Sequence, residues 1–157
     1  MREVLKMADK IRQFVEFKIG QEEYGVDILQ VKTIERMMPI TRVPKAPKFV
    51  EGVINLRGEI VPVIDLRKRF DLPPAETTEN TRIIIVSVDE ITVGMIVDSA
   101  TEVVQLAQED IEPAPPITSS IDSDYLDGVG KLEGKLLILL NVAKLLKPQE
   151  IEELAQI

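Results

Sequence analysis

The strongest constraint in this chain is a β-hairpin written twice. Phe49-Val50-Glu51-Gly52-Val53-Ile54-Asn55-Leu56-Arg57-Gly58 aligns without a gap on Tyr125-Leu126-Asp127-Gly128-Val129-Gly130-Lys131-Leu132-Glu133-Gly134, a constant offset of 76 (125 − 49). The register continues through Val61/Leu137, Val63/Leu139, Ile64/Leu140 and Asp65/Asn141. In each copy two β-rich runs flank a turn glycine, which supplies the positive φ that tight β-turns require. Asp65 or Asn141 then stands where a side-chain oxygen can cap a short helix. A fainter pair precedes this one: Tyr24-Gly25-Val26 resembles Val93-Gly94-Met95 at an offset of 69 (93 − 24), with apolar matches at Ile28/Val97, Val31/Ala100 and Ile34/Val103. Two hairpins can look alike by chance. Here the whole order of weak pair, connector, strong pair and capped helix recurs.

The residue types agree with sheet. Of 157 residues, 19 are Ile and 17 are Val, against six aromatics, and β-branched side chains pack well on a pleated surface. Strands are expected at Phe14–Ile19, Tyr24–Ile28, Met37–Pro44 (broken by Pro39), Val50–Leu56 and Glu59–Ile64. The second half repeats them at Arg82–Val88, Thr92–Val97, Thr101–Leu106, Val129–Leu132 and Lys135–Leu140. Short helices are expected at Met1–Ile11, Leu66–Phe70, Val142–Leu146 and, behind Pro148, Gln149–Gln156. About five strands per half are too few to hide both faces of an open sheet, so each set curls into a small barrel. The expectation is a mainly β chain, residues 1–157 forming one domain. It holds two pseudo-equivalent five-stranded barrels packed together, at about 14–70 and 82–146. Terminal segments are able to cross to the other half, and the polar stretch 71–81 marks the boundary. A groove between two barrels is a natural binding site.

Little chemistry is open to this chain. It has no Cys and no His, which removes disulfides, thiol nucleophiles, imidazole ligands, a Ser-His-Asp triad and a phosphorylatable histidine. No phosphate-binding glycine loop occurs, since the Gly128/Gly130/Gly134 cluster lies in a hairpin. With 27 Asp+Glu against 19 Lys+Arg the net charge is −8, the wrong sign for a nucleic-acid binder. No catalytic residue, metal or cofactor is expected. Asp65 fits a helix cap better than a phospho-acceptor, because Asn141 holds the equivalent place. The longest aliphatic run, Leu136–Leu140, is far short of a membrane span, and the N-terminus has no apolar signal core. A soluble cytoplasmic protein is expected. Arg57, at the tip of the better hairpin, serves either solubility or binding, since the turn itself asks only for Gly58.

Gly20-Gln21-Glu22-Glu23-Tyr24-Gly25-Val26-Asp27-Ile28, then Asn55-Leu56-Arg57-Gly58 followed by Val61-Pro62-Val63-Ile64-Asp65-Leu66, resemble the CheW-type chemotaxis coupling proteins. The second half agrees through Val93-Gly94-Met95-Ile96-Val97-Asp98 and Tyr125-Leu126-Asp127-Gly128, so the resemblance runs from Phe14 to Leu146. It implies two SH3-like barrels and a non-enzymatic adaptor. That adaptor would join the cytoplasmic tips of methyl-accepting chemoreceptors to the regulatory domain of the histidine kinase CheA, itself a homologous double barrel, with ring assembly between the two. It would be cytoplasmic and recruited to membrane receptor arrays, without direct membrane insertion or nucleic-acid binding. Receptor contacts are implied at Ile28, Val31 and Arg57, with Asn55 and Gly58 shaping the turn. Kinase contacts at barrel edges are implied at Met38, Arg42, Val43 and Ile117. Where relatives commonly place an aromatic, this chain has Ile117, and where they often place Glu it has Thr33, so no charge contact carries over there.

Two other readings of the residues are open. One is a regulatory fragment of the kinase or a coupling protein bearing a receiver domain, and no receiver sequence follows before Ile157. The other is a small-barrel enzyme or nucleic-acid module, opposed by the missing His and Cys and by the charge.

Overall fold

Strand alternation and turn glycines lay out the chain in the expected order, in a computed structural model that describes residues 11–113 and 125–156. The elements are β1 (Ile11–Ile19), β2 (Glu22–Asp27), a 3-10 turn (Ile28–Gln30), β3 (Val31–Arg36), β4 (Val50–Leu56), β5 (Glu59–Asp65), α1 (Leu66–Arg69), β6 (Arg82–Val88) and β7 (Ile91–Val97). There follow β8 (Ser99–Ala107), a 3-10 turn (Gln108–Asp110), β9 (Ile111–Glu112), β10 (Leu126–Leu132), β11 (Lys135–Leu140), α2 (Val142–Leu145) and α3 (Pro148–Ala155). The expected helix at Met1–Ile11 falls almost wholly outside the described residues. The expected strand Met37–Pro44 does not form. With Pro39 unable to donate to a ladder, that stretch makes one bridge, Thr41 to Val53.

Strands are not shared out at the 71–81 connection. One sheet has the order β3-β6-β7-β5-β4 and the other β8-β1-β2-β11-β10-β9. Residues 31–97 therefore build the first sheet, while the second takes β1 and β2 from the start of the chain and the rest from beyond residue 99. The duplication explains this. The offset of 69 maps β1 and β2 onto β6 and β7, and the offset of 76 maps β4 and β5 onto β10 and β11. Each half has given its first hairpin to the other. The joints are equivalent parallel pairs: Val63 beside Gly94 and Ile64 beside Met95 in one sheet, Leu139 beside Gly25 and Leu140 beside Val26 in the other. Even the irregularities match. The ladder shifts register between Val50 and Gly52, and again between Leu126 and Gly128.

The exchanged hairpins are buried on both faces. From β6, Ile83 and Ile85 fill the first barrel with Ile54, Val61 and Val63. From β1, Phe14 fills the second with Leu106, Leu137 and Leu139. The opposite faces, Ile84, Val86 and Val88 from β6 and Val15, Phe17 and Ile19 from β1, meet between the sheets in the largest core cluster, with Tyr24, Met95, Leu140 and Phe70. Phe17, Tyr24 and Phe70 stack in series there, centroids 5.5 and 5.8 Å apart, and Tyr125 lies tilted beside Phe70 at 6.2 Å. Burial, with a hydrogen bond to Glu22, pushes the Tyr24 hydroxyl pKa upward and keeps it neutral.

Both helix caps occur as read. Asp65 accepts from the Arg67 amide (2.9 Å) and Asn141 from the Ala143 amide (3.0 Å). The C-terminal helix α3 is held by Arg69, which donates to both carboxylate oxygens of Glu150 and to the Leu145 carbonyl at 2.9 Å. The Arg69 guanidinium also lies over the rings of Phe49 and Tyr125, at 5.2 and 5.8 Å. Burial alone would raise the Glu150 pKa, but the Arg69 hydrogen bonds and the Lys147 amide outweigh it and hold the carboxyl below its usual range.

Two measurements follow from these contacts. A Cβ at Gly52 would lie 2.3 Å from the Thr41 carbonyl oxygen, and one at Gly128 2.5 Å from that of Glu112. Gly52→Ala is expected to lower the unfolding free energy in urea by about 1–3 kcal/mol, the usual cost of forcing in a methyl group. Glu150 has a depressed folded-state pKa, so the stability it contributes is present above the unfolded glutamate pKa and is lost as pH falls through the folded value. Melting temperatures measured downward from about pH 5 should therefore fall less steeply in Glu150→Gln than in the parent.

Candidate functional site

The chain passes between the sheets at two places, and the residues singled out for receptor contact flank one of them. At the first crossover the Asp27 carboxylate accepts from the Leu29 amide (2.9 Å) and from Arg12 Nη2 (3.0 Å), which starts the 3-10 turn and anchors it to β1. Ile28 and Val31, at the two ends of that turn, are half-buried against the core between the sheets. Each thus serves core and surface together. Leu29, between them, is 89% exposed, and Ile11 on β1 is 47% exposed. A cavity of about 450 Å³ lies here, lined by Ile11, Arg12, Asp27, Ile28 and Leu29 among others.

Arg57 reaches the same strand from the opposite edge of the first sheet. Leu56 pairs with Glu59, so Arg57 and Gly58 form a two-residue turn, with φ of 50° and 89°. Left-handed values at both positions are the mark of a type I′ turn, where Asn-Gly is the favoured pair. Asn55 steadies it by accepting from the Gly58 amide at 2.7 Å, so its side chain is committed to the turn. Arg57 is 69% exposed, and its Nη2 lies 3.3 and 3.4 Å from the two oxygens of Glu35. Val31, Thr33 and Glu35 alternate on the half-buried side of β3. With a rise of about 3.3 Å per strand residue, Val31 and Glu35 stand roughly 13 Å apart along one face. Ile28, Val31 and Arg57 are therefore arrayed along one strand, apolar at the crossover and cationic at the far end.

The second crossover, at Asp98, is closed by polar contacts. Asp98 accepts from Arg67 Nε (3.0 Å) and from the Gly20 amide (2.7 Å), while its own amide donates to the Lys18 carbonyl (3.0 Å). Hydrogen bonds from Arg67, then from Gly20, hold the Asp98 carboxyl below its usual pKa against the opposing effect of burial. Together with Arg69 and Glu150, these shifted groups sit in structural ion pairs. Among the described residues no group of three or more Asp or Glu is placed to hold a metal ion.

The residues singled out for kinase contact are more scattered. Met38 is half-buried and packs on the interior of the first barrel. Arg42 and Val43 line a separate cavity beside the 42–48 loop. Ile117 lies outside the described residues. Sequence reasoning missed Glu35, Leu29 and the Arg12–Asp27 pair. Glu35 had no signal, since its role depends on the barrel closing to bring Arg57 across. Leu29 lay between two residues already singled out.

Arg57→Gly tests whether the turn needs this side chain. Glycine adopts the left-handed conformation freely, so denaturant unfolding should find the variant at least as stable as the parent, by up to about 1 kcal/mol.

The family model described as the CheW-like domain matches residues 13–150. A chemotaxis protein CheW from Klebsiella aerogenes is 41% identical over 140 residues, covering 89% of this chain and 84% of that one. The CheW of Treponema pallidum is 35% identical over 153 residues, covering 95% and 90%. Among solved structures, the scaffolding protein TtCheW from Thermoanaerobacter tengcongensis superimposes with a TM-score of 0.82 at 38% identity, covering 88% of this chain and 94% of that one.

Proposed function

This chain belongs to the CheW-like family, and from that premise we propose that it is a non-enzymatic chemotaxis adaptor joining the cytoplasmic tips of chemoreceptors to the regulatory domain of the histidine kinase CheA. The observation that carries the receptor half is the first crossover. Ile28 and Val31 present apolar surface from a turn anchored by Asp27, with Leu29 projecting beside them and Arg57 at the far end of β3. A helix laid into a groove needs aliphatic anchors spaced along it and a charge at the rim to set its direction, and this strand supplies both. Arg57 keeps an unfavoured backbone conformation although its counterpart Glu133 is not left-handed in the equivalent turn, which fits selection for its side chain.

The kinase half rests on edges. Among the described residues, the sheet continues beyond β4 only as the Thr41 bridge, and beyond β10 only as the two-residue β9. Short, irregular edge partners leave backbone and side chains for pairing with another barrel, and a homologous double barrel offers matching edges for a ring. Met38, Arg42, Val43 and Ile117 are assigned to these contacts. No described helix is long and apolar enough to cross a membrane, and the protein is assigned to the cytoplasm, brought to receptor arrays by its partners.

Pull-down of the purified chain with CheA and with a receptor tip fragment tests the reading, and retention of neither partner overturns it. Leu29→Asp and Arg57→Gly alter exposed side chains. Each is expected to weaken receptor-fragment binding by about tenfold, on the order of 1.4 kcal/mol, with kinase binding unchanged. Equal loss of both partners in titration calorimetry would remove the crossover from the receptor site.

A further inference from the structure

One cavity carries a charge opposite to that of the chain as a whole. It lies beside the 42–48 loop, has a volume of about 760 Å³ and is lined by Arg42, Lys45, Lys48 and Lys68. Glu51 also lines it and is already paired with Lys68. In a protein of net charge −8, the three cations left after that pairing, Arg42, Lys45 and Lys48, make a local field of reversed sign around one opening, and a concave, low-dielectric wall concentrates such a field. Val43 and Val50 add apolar surface to the same lining.

The backbone gives a second, independent sign. Lys45 has a φ of 64°. It is the third residue of a turn closed by the Ala46 amide donating to the Val43 carbonyl (3.3 Å), with Pro44 before it. That is the type II pattern, whose third position favours glycine. The loop thus holds a lysine where glycine would be relaxed, between two prolines that stiffen it. Strain kept in this way at a cavity rim points from backbone to function.

We propose that this cavity docks an extended acidic peptide segment of a partner protein. A small phosphate would ask for converging backbone N–H groups. Here Pro44 and Pro47 have none, and the amides of Ala46 and Val50 are spent on Val43 and Pro47. Cations on long flexible stems spread around an open rim suit several carboxylates in a row, and Val43 and Val50 take an apolar residue among them. The proposal rests on charge and loop geometry rather than on the receptor and kinase assignments, although Arg42 and Val43 enter both.

The probe is a fluorescein-labelled peptide of alternating Glu and Leu, titrated with the full chain at low ionic strength and followed by anisotropy. Binding that weakens as salt is added is expected. Lys48→Glu should reduce affinity about tenfold, and Lys45→Gly about threefold with a melting temperature equal to or above the parent's. Lys144→Glu, an exposed cation on α2, should leave binding unchanged. Parent-like affinity in both loop variants overturns the proposal. So does binding of inorganic phosphate, or of vesicles containing phosphatidylserine, with no binding of the peptide. Retention of CheA and the receptor fragment by the same variants is read separately, so a failure here is distinguishable from failure of the adaptor reading.

Discussion

The two parallel joints, β2 on β11 and β5 on β7, are what the rest of the structure depends on. Each attaches a hairpin from one half of the chain to the receiving sheet of the other. An exchanged hairpin must pack on two sides at once, against the interior of the barrel it completes and against its own counterpart across the seam. This is why β1 and β6 each carry four consecutive buried residues, Phe14–Phe17 and Ile83–Val86, where a one-sided strand would alternate. It is also why the largest core lies between the barrels and the smaller ones inside them. A surface mounted on so well filled a seam has its geometry set by the packing beneath.

Much of this was legible in the residues. The turn glycines, the capping Asp65 and Asn141 and the offset of 76 located the hairpins and helices, because each is a local signal with a local cause. Beyond the expectation that terminal segments can cross, the reciprocal exchange of hairpins was not legible. Strand pairing between residues about 115 apart leaves no mark in periodicity, and the offset of 69 is equally compatible with hairpins that stay at home. Residues 37–44 were misread for a related reason. Their apolar pattern is that of a strand, but Met37, Met38 and Ile40 face the barrel interior from an irregular segment around Pro39. Of the residues proposed for receptor contact, Arg57 was visible at its turn, whereas Ile28 and Val31 were pointed out by the family resemblance. Glu35 was invisible because only the closed barrel brings it to Arg57.

Where the halves differ, the differences are specific. Ile85 lies inside the first barrel, and its counterpart in the second is Glu16, 1% exposed, with one carboxylate oxygen 2.7 Å from Lys135 Nζ and the other without a hydrogen-bond partner. Ile54 in the first barrel answers to Gly130 in the second, where a Cβ would meet a Leu106 methyl at 2.4 Å. The second interior is thus smaller and more polar. The crossovers differ as well, one closed by Arg67 on Asp98 and the other carrying exposed apolar surface. The proposed interaction surfaces lie where the two copies have diverged, while the shared ladder and caps keep the common frame.

The exchange also bears on the order in which the protein is made. β1 and β2 are made before their neighbours in the sheet, β8 and β11, so this hairpin has no lateral partner until β8 ends at Ala107, and its β2 side stays open until Leu140. An isolated two-stranded hairpin is marginal in water. At roughly 5–20 residues per second, the 113 residues from Asp27 to Leu140 (140 − 27) take about 6–23 seconds. The first sheet escapes this delay, because all of its strands lie within residues 31–97. It can close while the second half is still being translated, and the early hairpin is then held nearby by its short tether through the 3-10 turn. The crossover that presents Ile28 and Leu29 is, during synthesis, the leash that keeps an unpaired hairpin beside the sheet it will later pack against.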